Sequence, residues 1–552
     1  MLGKKPISPR LMATILAAFN FFFYMLFPVP GFRRWDGLMT ATTIAHFGET
    51  PWQVILFFAH TLVIPITQFF NLILGNADPL LVTSLREVSL STINVVLMYY
   101  FFRNFLKNDV AAIMIGLAYI FCFSHWQFTT GGEEKDTMLV LNIIYLIGFF
   151  GLKGWISFGF VPRLKLFAAR YTNWFGKHLA EIALGTILAF SIMIHLENGI
   201  LVITTGIVYL LRKEFYLNYQ KQIVEFLTIM LTAGIILLIW FGILIVGVNG
   251  ITTVAGAMRW LLEYHATGEF FNANIVFTDQ LLWAYEGFRR FLIGKYFEHG
   301  YLWIEVIVVT SIFIFLVVKS YKYSPEIIRM ALIYIGVVSV HFFFWIPWDP
   351  EQWNPVAFAG FIVITPALFT SNQYLKRIAG IFVALLVVIN CFTYSNLADR
   401  YQKPYQNNKQ INTEYVGGLS GFYLRNLPYS NMAQLTKKFT EPGALILVDH
   451  RHLVNHLLIY TDLEPIVTQY LDQPDEKLRK DLYLSQLSVH FYKPQISNLD
   501  LIERINSGNS VYCLSNNEGK ISKNIGQPLQ FSELYNFHFR GYKLSLVALG
   551  DN

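Results

Sequence analysis

Long apolar stretches recur along almost all of the first 395 residues, and no other feature narrows the fold so far. They lie near 11–31, 52–75, 84–103, 109–127, 137–154, 179–196, 199–211, 223–247, 301–319, 327–346, 356–371 and 378–395. Most approach the ~20 apolar residues that a helix needs to cross a hydrocarbon core of ~30 Å, while 199–211 must borrow flanking residues. Only 14% of the 552 residues are charged and 54% are hydrophobic. A soluble domain carries about 25% charge. The sequence therefore reads as an α-helical polytopic membrane protein. The apolar stretch behind MLGKKPISPR is longer than a secretory signal core and no A-x-A site follows it, so it reads as a retained first span.

Near residue 396 the composition turns polar, with prolines, asparagines and lysines. Two domains are expected: 1–395, a transmembrane domain with outer-face loops, and 396–552, a small extracytoplasmic α/β domain. In the second, GALILVDHRH, EPIVTQY, NSVYCLS and GYKLSLVALG read as strands, and VNHLLIYTD and NLDLIERINSG as helices. Asp449, His450 and His452 cluster at the end of its first strand, which reads as a ligand spot, against a structural or acceptor-holding role for the domain. Cys122 and Cys391 fall in apolar spans and Cys513 in the polar domain, which leaves no disulfide framework and no zinc pattern.

The net charge of +6 gathers in short loops, which points to membrane topology and not to nucleic acid. Basic clusters occur at Lys4, Lys5 and Arg10, at Arg103 with Lys107, from Lys153 to Lys177, and in RKEFYLNYQK, KSYKYSPEIIR and YLKR. These clusters cannot all face the cytosol if every apolar stretch crosses. The stretch 52–75 contains Gln53, His60, Pro65, Gln68 and Asn71, which suits an interfacial or re-entrant position. About eleven spans then remain. The polar segments FRRWDGLMTATTIAHFGETPW, TTGGEEKDT, IHLEN and WIPWDPEQWNP, the 248–300 loop and the C-terminal domain all fall on the outer side.

Those segments hold the residues with chemistry. Asp36 precedes LMTATTIAHF, which reads as a short amphipathic helix along the membrane; the acid serves there as a helix cap or as a catalytic carboxylate. Glu133, Glu134 and Asp136 open a span, as dipole partners or as a site; Glu133 and Asp136 share a helix face and could hold a cation or a sugar hydroxyl. His195 and Glu197 end another span. Trp348, Asp349, Glu351 and Trp353 stand in a loop whose tryptophans suit both an interface anchor and a sugar-stacking platform. Arg259, His265, Arg289 and Arg290 lie among aromatics in surface helices, where arginine forks bind phosphate or snorkel to headgroups.

The early order is also familiar. A span ends in W-D before a short amphipathic helix; an apolar juxtamembrane stretch follows, ending LILGNADPLLVTSLREVS; then come a span ending YYFFRNFLKND and an acidic loop before the next helix. Over roughly residues 10–400 this resembles the GT-C class of integral membrane glycosyltransferases, nearest in appearance to the protein O-mannosyltransferases and the lipid A aminoarabinose transferase. The resemblance implies transfer of a sugar from a polyprenyl-phosphate donor to a glycan, lipid or protein acceptor outside the cytoplasm, and a place in the bacterial inner membrane. It implies that Asp36 is catalytic and that Glu133, Glu134 and Asp136 are site acids. Members typically carry two adjacent acids after span one; here Gly37 follows Asp36, which leaves the second task to the GGEEKD acids. Some members use a divalent cation, Mg or Mn, and others none; Glu133 and Asp136 would be its holders. The rival reading is a transporter or flippase of lipid-linked saccharides. Such proteins concentrate charge within spans near the midplane, whereas the charges singled out here lie in loops.

Overall fold

The structure is a computed structural model that describes residues 8–29, 35–56, 61–158, 160–168, 174–211, 218–258, 277–294, 302–344, 350–370, 373–401, 428–449, 452–468, 497–537 and 541–550. Its first part is helical: α1 (Pro9–Leu26), α2 (Trp35–Ala45), α3 (Trp52–Ile55), α4 (Val63–Ile73), α5 (Pro79–Leu106), α6 (Asp109–Ile120), α7 (Phe123–Gly131) and α8 (Lys135–Leu152). There follow α9 (Val161–Ala168), α10 (Trp174–Lys177), α11 (Leu179–Ile194), α12 (Ile200–Leu210) and α13 (Tyr219–Gly242), the last continued by a π-helical segment over Ile243–Val248. Then come α14 (Phe277–Ile293), α15 (Leu302–Tyr321), α16 (Pro325–Phe344), α17 (Asn354–Thr370) and α18 (Gln373–Tyr401).

Among the described residues, α1, α5, α8, α13 with its extension, α15 and α18 are long and apolar enough to cross a membrane. The pair α6 and α7, bent by 61°, makes a seventh when taken as one span, and α4, α11, α12 and α17 are shorter apolar helices. Eleven residues make α4 ~16 Å long, about half the hydrocarbon thickness. Local chemistry sets the helix ends. Pro79 opens α5 behind Asp78, whose carboxylate accepts from the N–H groups of Leu80 and Leu81. Lys107 closes it in the left-handed conformation at φ 53°, and Asn108 caps α6.

The core is built on α5. Its start meets the start of α8, where the Glu87 carboxylate accepts from Asp136 N–H at 2.8 Å. Nearer its end, the rings of Phe101 and Phe150 lie 5.8 Å apart, so the two helices run side by side in one direction. At the far end of α8, Lys153 Nζ meets Glu225 of α13 at 2.5 Å and lies over the Tyr209 ring.

The sequence pattern predicts α2 as a helix lying along the membrane with one face open. The helix is present, but Gly37 through Thr43 are all buried. Its threonines permit this, because Thr42 and Thr43 return their hydroxyls to the carbonyls of Leu38 and Met39 and leave only methyl groups facing outward.

The second part contains α19 (Pro428–Phe439), β1 (Leu445–Val448), α20 (His452–Tyr460), β2 (Glu464–Val467), α21 (Asn498–Asn506), β3 (Val511–Ser515), α22 (Glu518–Ile525), β4 (Leu529–Asn536) and β5 (Lys543–Leu549). The sheet has the order β2-β1-β3-β5-β4; β2, β1 and β3 are parallel, and β5 pairs antiparallel with β3 and β4. Apolar layers cover both faces, one around Met432, Leu453 and Leu457 and the other around Leu501 and Ile521. All four strands expected from the sequence are present, and β4, α19 and α22 are additional.

The sheet unit rests on α2, on the side where α5 begins; Lys107 ends α5 ~42 Å away. Cysteines replacing Glu49 and Lys520 are expected to react with an impermeant maleimide from one side of sealed vesicles, and a cysteine replacing Lys107 only from the other. Labelling of all three from one side would contradict this arrangement.

Candidate active site

Close backbone packing places the first turn of α2. A Cβ on Gly37 would lie 2.5 Å from the Gly131 carbonyl oxygen and 3.1 Å from Gly132 C, so only glycine lets α2 rest on the turn that ends α7. Gly132 forms that turn at φ 76°. Asp36 stands one residue before Gly37, in the first turn of α2; its side chain lies outside what the structure describes. The missing second acid at position 37 thus has a steric reason. No side chain fits there.

The acids beyond the turn are not in an open loop. Glu133, Glu134 and Asp136 are 1%, 2% and 0% exposed. Asp136 points into the helical core, where Tyr119 and Asn94 donate to one oxygen, at 3.2 and 2.9 Å, and Thr129 to the other, at 2.5 Å. His125 lies 3.7 Å away, with Ser91 on its other ring nitrogen. With both oxygens engaged, Asp136 acts here as an internal fastening for α5, α6 and α7. Among the described residues no three His, Cys, Asp or Glu side chains gather to hold a metal ion. The buried, engaged Asp136 does not fit the cation site expected with Glu133.

Sequence reasoning missed the pair that orders this region. Arg86 and Glu87, in α5, are both 0% exposed. Arg86 donates through Nε to Glu87 at 2.7 Å, through Nη1 to Thr67 of α4 at 2.5 Å, and through Nη2 to the Gly132 carbonyl at 3.0 Å. Glu87 accepts from the N–H groups of Asp136 and Thr137 and from the Thr137 hydroxyl. A carboxylate from a neighbouring helix therefore occupies the positive end of α8, the place expected for Glu133, Glu134 and Asp136. The available signal was LREVS: adjacent opposite charges one to two turns inside an apolar run.

The other expected residues fall into two groups. In the turn between α11 and α12, His195 lies 3.7 Å from Glu197, and His341 of α16 lies 3.9 Å from the same carboxylate. Burial alone would push the Glu197 carboxyl up; His195, His341 and Lys135 outweigh it and hold the group well below the usual carboxylate range. A small cleft beneath is lined by Met138, Asn198, Tyr334 and Pro355. This turn and the start of α8 thus form one wall.

On α14, Glu286 receives Arg289 through Nε and Nη2, at 2.8 and 2.9 Å, and Arg290 through Nε at 2.7 Å. The Nη1 of Arg289 is buried and has no hydrogen-bond partner among the described residues. Trp353 packs on this helix with its ring 5.2 Å from Phe288. Arg259, His265, Trp348 and Asp349 lie outside the described residues, as does the side chain of Glu351. Ser124 at the start of α7 donates to the Arg290 carbonyl at 2.9 Å, which joins the arginine helix to the helix that ends in the glycine turn.

No protein-family model matches the chain, and no curated protein matches it in sequence. Solved structures do resemble it. The crystal structure of ArnT from Cupriavidus metallidurans bound to undecaprenyl phosphate superposes with a TM-score of 0.56 at 12% identity, covering 97% of each chain. Apo ArnT gives 0.53 at 11% identity, again over 97% of each. The fold is the GT-C fold. An oligosaccharyltransferase from Archaeoglobus fulgidus, in complex with Zn and sulfate, gives 0.47 at 10% identity, covering 96% of this chain and 72% of its own. Within the GT-C fold, α2 and the α7–α8 turn meet beside the sheet unit, where the sequence order places the acids.

Two substitutions test this packing. Gly37→Ala forces α2 off the turn and is expected to cost about 1–3 kcal/mol. Glu87→Ala leaves a buried guanidinium without its carboxylate and is expected to cost about 3–5 kcal/mol. Both should lower the unfolding midpoint in detergent, the second more; an unchanged midpoint for Glu87→Ala would mean the pair does not order the bundle.

Proposed function

We propose that the protein is a membrane glycosyltransferase that moves a sugar from a polyprenyl-phosphate donor to an acceptor on the extracytoplasmic face. The observation that carries this reading is the close seat of Gly37 on the Gly131–Gly132 turn, in a chain whose fold is that of ArnT, itself captured with undecaprenyl phosphate. Residues 1–395 would then be the catalytic membrane domain, with about eleven crossings, and 396–552 an outer α/β domain, in a bacterial inner membrane.

Asp36 is the base. It takes the proton of the acceptor hydroxyl as that oxygen bonds to the anomeric carbon; the bond from carbon to phosphate oxygen breaks, and its electrons leave on the polyprenyl phosphate. Charge grows on the leaving phosphate, so fixed cations must lie beside it. Arg289 and Arg290, pre-set by Glu286, suit this task, and the Nη1 of Arg289 remains to meet an anion; Arg259 and His265 are further candidates. Glu133 and Glu134 line the turn beside α2, and His195, Glu197, Trp348, Asp349, Glu351 and Trp353 are assigned to sugar or acceptor. Asp136 is assigned to positioning, for the reason given by its three donors. The isoprenoid tail lies between helices while its headgroup meets the outer loops.

The test is transfer of radiolabel from polyprenyl-phosphate sugars into acceptors of membrane extracts. Asp36→Asn is expected to abolish transfer with insertion and expression intact; full activity in that variant would remove the mechanism. Arg289→Ala is expected to lower kcat by at least tenfold, by analogy with the ~10²–10³-fold cost of removing one charge-stabilising donor. Movement of labelled carrier across vesicles with no transfer would mark a transporter instead.

A further inference from the structure

Nothing in the chemistry above uses the sheet unit, yet among the described residues that unit packs into the helical core at the last turn of α20. Ile459 and Tyr460, in the last turn of α20, pack against the core of the membrane helices, and Tyr460 touches the sheet's own apolar layer as well. Two polar contacts accompany them. His46, one residue past the end of α2, hydrogen-bonds through Nε2 to the Leu458 carbonyl at 2.7 Å. That carbonyl is among the last four of α20, which have no partner inside their own helix. The Tyr460 hydroxyl donates to Asp78 at 3.3 Å, to the same oxygen that caps α5.

These contacts fall at a particular position on α2. His46 closes the last turn of that helix through its own N–H, which bonds the Thr42 carbonyl at 3.2 Å. The other end is set by Gly37 on the glycine turn. Between them, Thr42 and Thr43 spend their hydroxyls on their own helix. Among the described contacts, the hydrogen bond from α2 to the sheet unit is at His46, past its last turn. α2 packs along its length on α4 and α5, with Met39 and Ile44 in one apolar cluster with Val54, Ile55 and Ile64, and its far end is bonded in addition to the sheet unit.

We infer that the last turn of α20 is a positioning element for α2: by holding His46 it fixes the far end of the helix whose first turn carries Asp36. The lever spans ten residues, ~15 Å of helix. Apolar packing on α4 and α5 is non-directional, so small rocking about the Gly37 seat would still carry Asp36 away from the reacting oxygen; the directional bond at His46 opposes that motion. His46 and Tyr460 are positioning residues and touch no substrate. The inference rests on the reading of Asp36 as the base, which gives the placement its purpose.

The experiment uses the full chain in lipid nanodiscs, with His46→Ala, Tyr460→Phe, the double variant, and His46→Gln, which restores a side-chain N–H donor. Backbone hydrogen exchange is followed over 38–45, with 138–150 in α8 as the internal reference, and sugar transfer is followed as separate kcat and KM. In the double variant, exchange over 38–45 is expected to rise about tenfold, as loss of roughly one to two hydrogen bonds implies, with the reference unchanged. kcat should fall while KM for the donor stays constant, and His46→Gln should recover both protection and kcat. Unchanged exchange over 38–45 in the double variant overturns the inference, whether or not the wild type transfers sugar. Equal loss of protection in both segments also overturns it, since the contact would then hold up the whole fold and not one helix. If the wild type transfers no sugar, the glycosyltransferase reading fails, and local exchange alone decides whether α20 holds α2.

Discussion

A guanidinium and a carboxylate, both buried, organise the half of the helix bundle on which the sheet unit rests. Charges in such surroundings persist only when paired and hydrogen-bonded, and Arg86 and Glu87 meet that demand through four elements. The arginine reaches α4 and the glycine turn; the glutamate takes the first free N–H groups of α8. An apolar pair of the same volume would be no less stable by itself. It would not specify where α8 begins, nor hold the Gly132 carbonyl where the turn needs it. The seat for α2 is a backbone surface, and the polar pair shapes it.

A second fastening connects this region to the arginine helix. At the break between α6 and α7, Asn390 of α18 donates to the carbonyls of Phe121 and Leu292, and Ser124 donates to that of Arg290. Gly294, at φ 76°, lies so close to Phe123 that a Cβ there would stand 2.8 Å from its ring. The 61° bend therefore serves two ends at once: it frees the Phe121 carbonyl that Asn390 of α18 uses, and it turns α7 toward the glycine turn. The groups assigned to phosphate and the groups assigned to the acceptor hydroxyl share this one frame.

Much of this was legible in the sequence, and the failures have physical causes. Hydropathy marked the helices because each must hide about 20 residues from water. Turn chemistry and alternation marked β1, β2, β3 and β5. β4 was missed because LQFSELYN is an edge strand that faces solvent along much of its length, so its apolar pattern is weak. The break at Phe121–Cys122 was invisible because apolar residues continue across it. Asp36, Glu133, Glu134 and Asp136 were found as acids at helix ends, but spacing says nothing of which way a carboxylate points, and Asp136 points inward. Arg86 and Glu87 were passed over because the window around them averages as oil. Gly37 was noted as a departure, and only the 2.5 Å approach explains it.

The threonines of α2 have a consequence of their own. Thr42 and Thr43 spend their hydroxyls on their own helix, so the middle of α2 is held mainly by apolar packing between two bearings. Exchange along that stretch is limited to apolar groups of like volume, since Leu38, Ala41 and Thr43 are fully buried. The bearings, a bare backbone at one end and an imidazole at the other, admit no such exchange. Orientation and sequence tolerance are thereby separated along a single short helix.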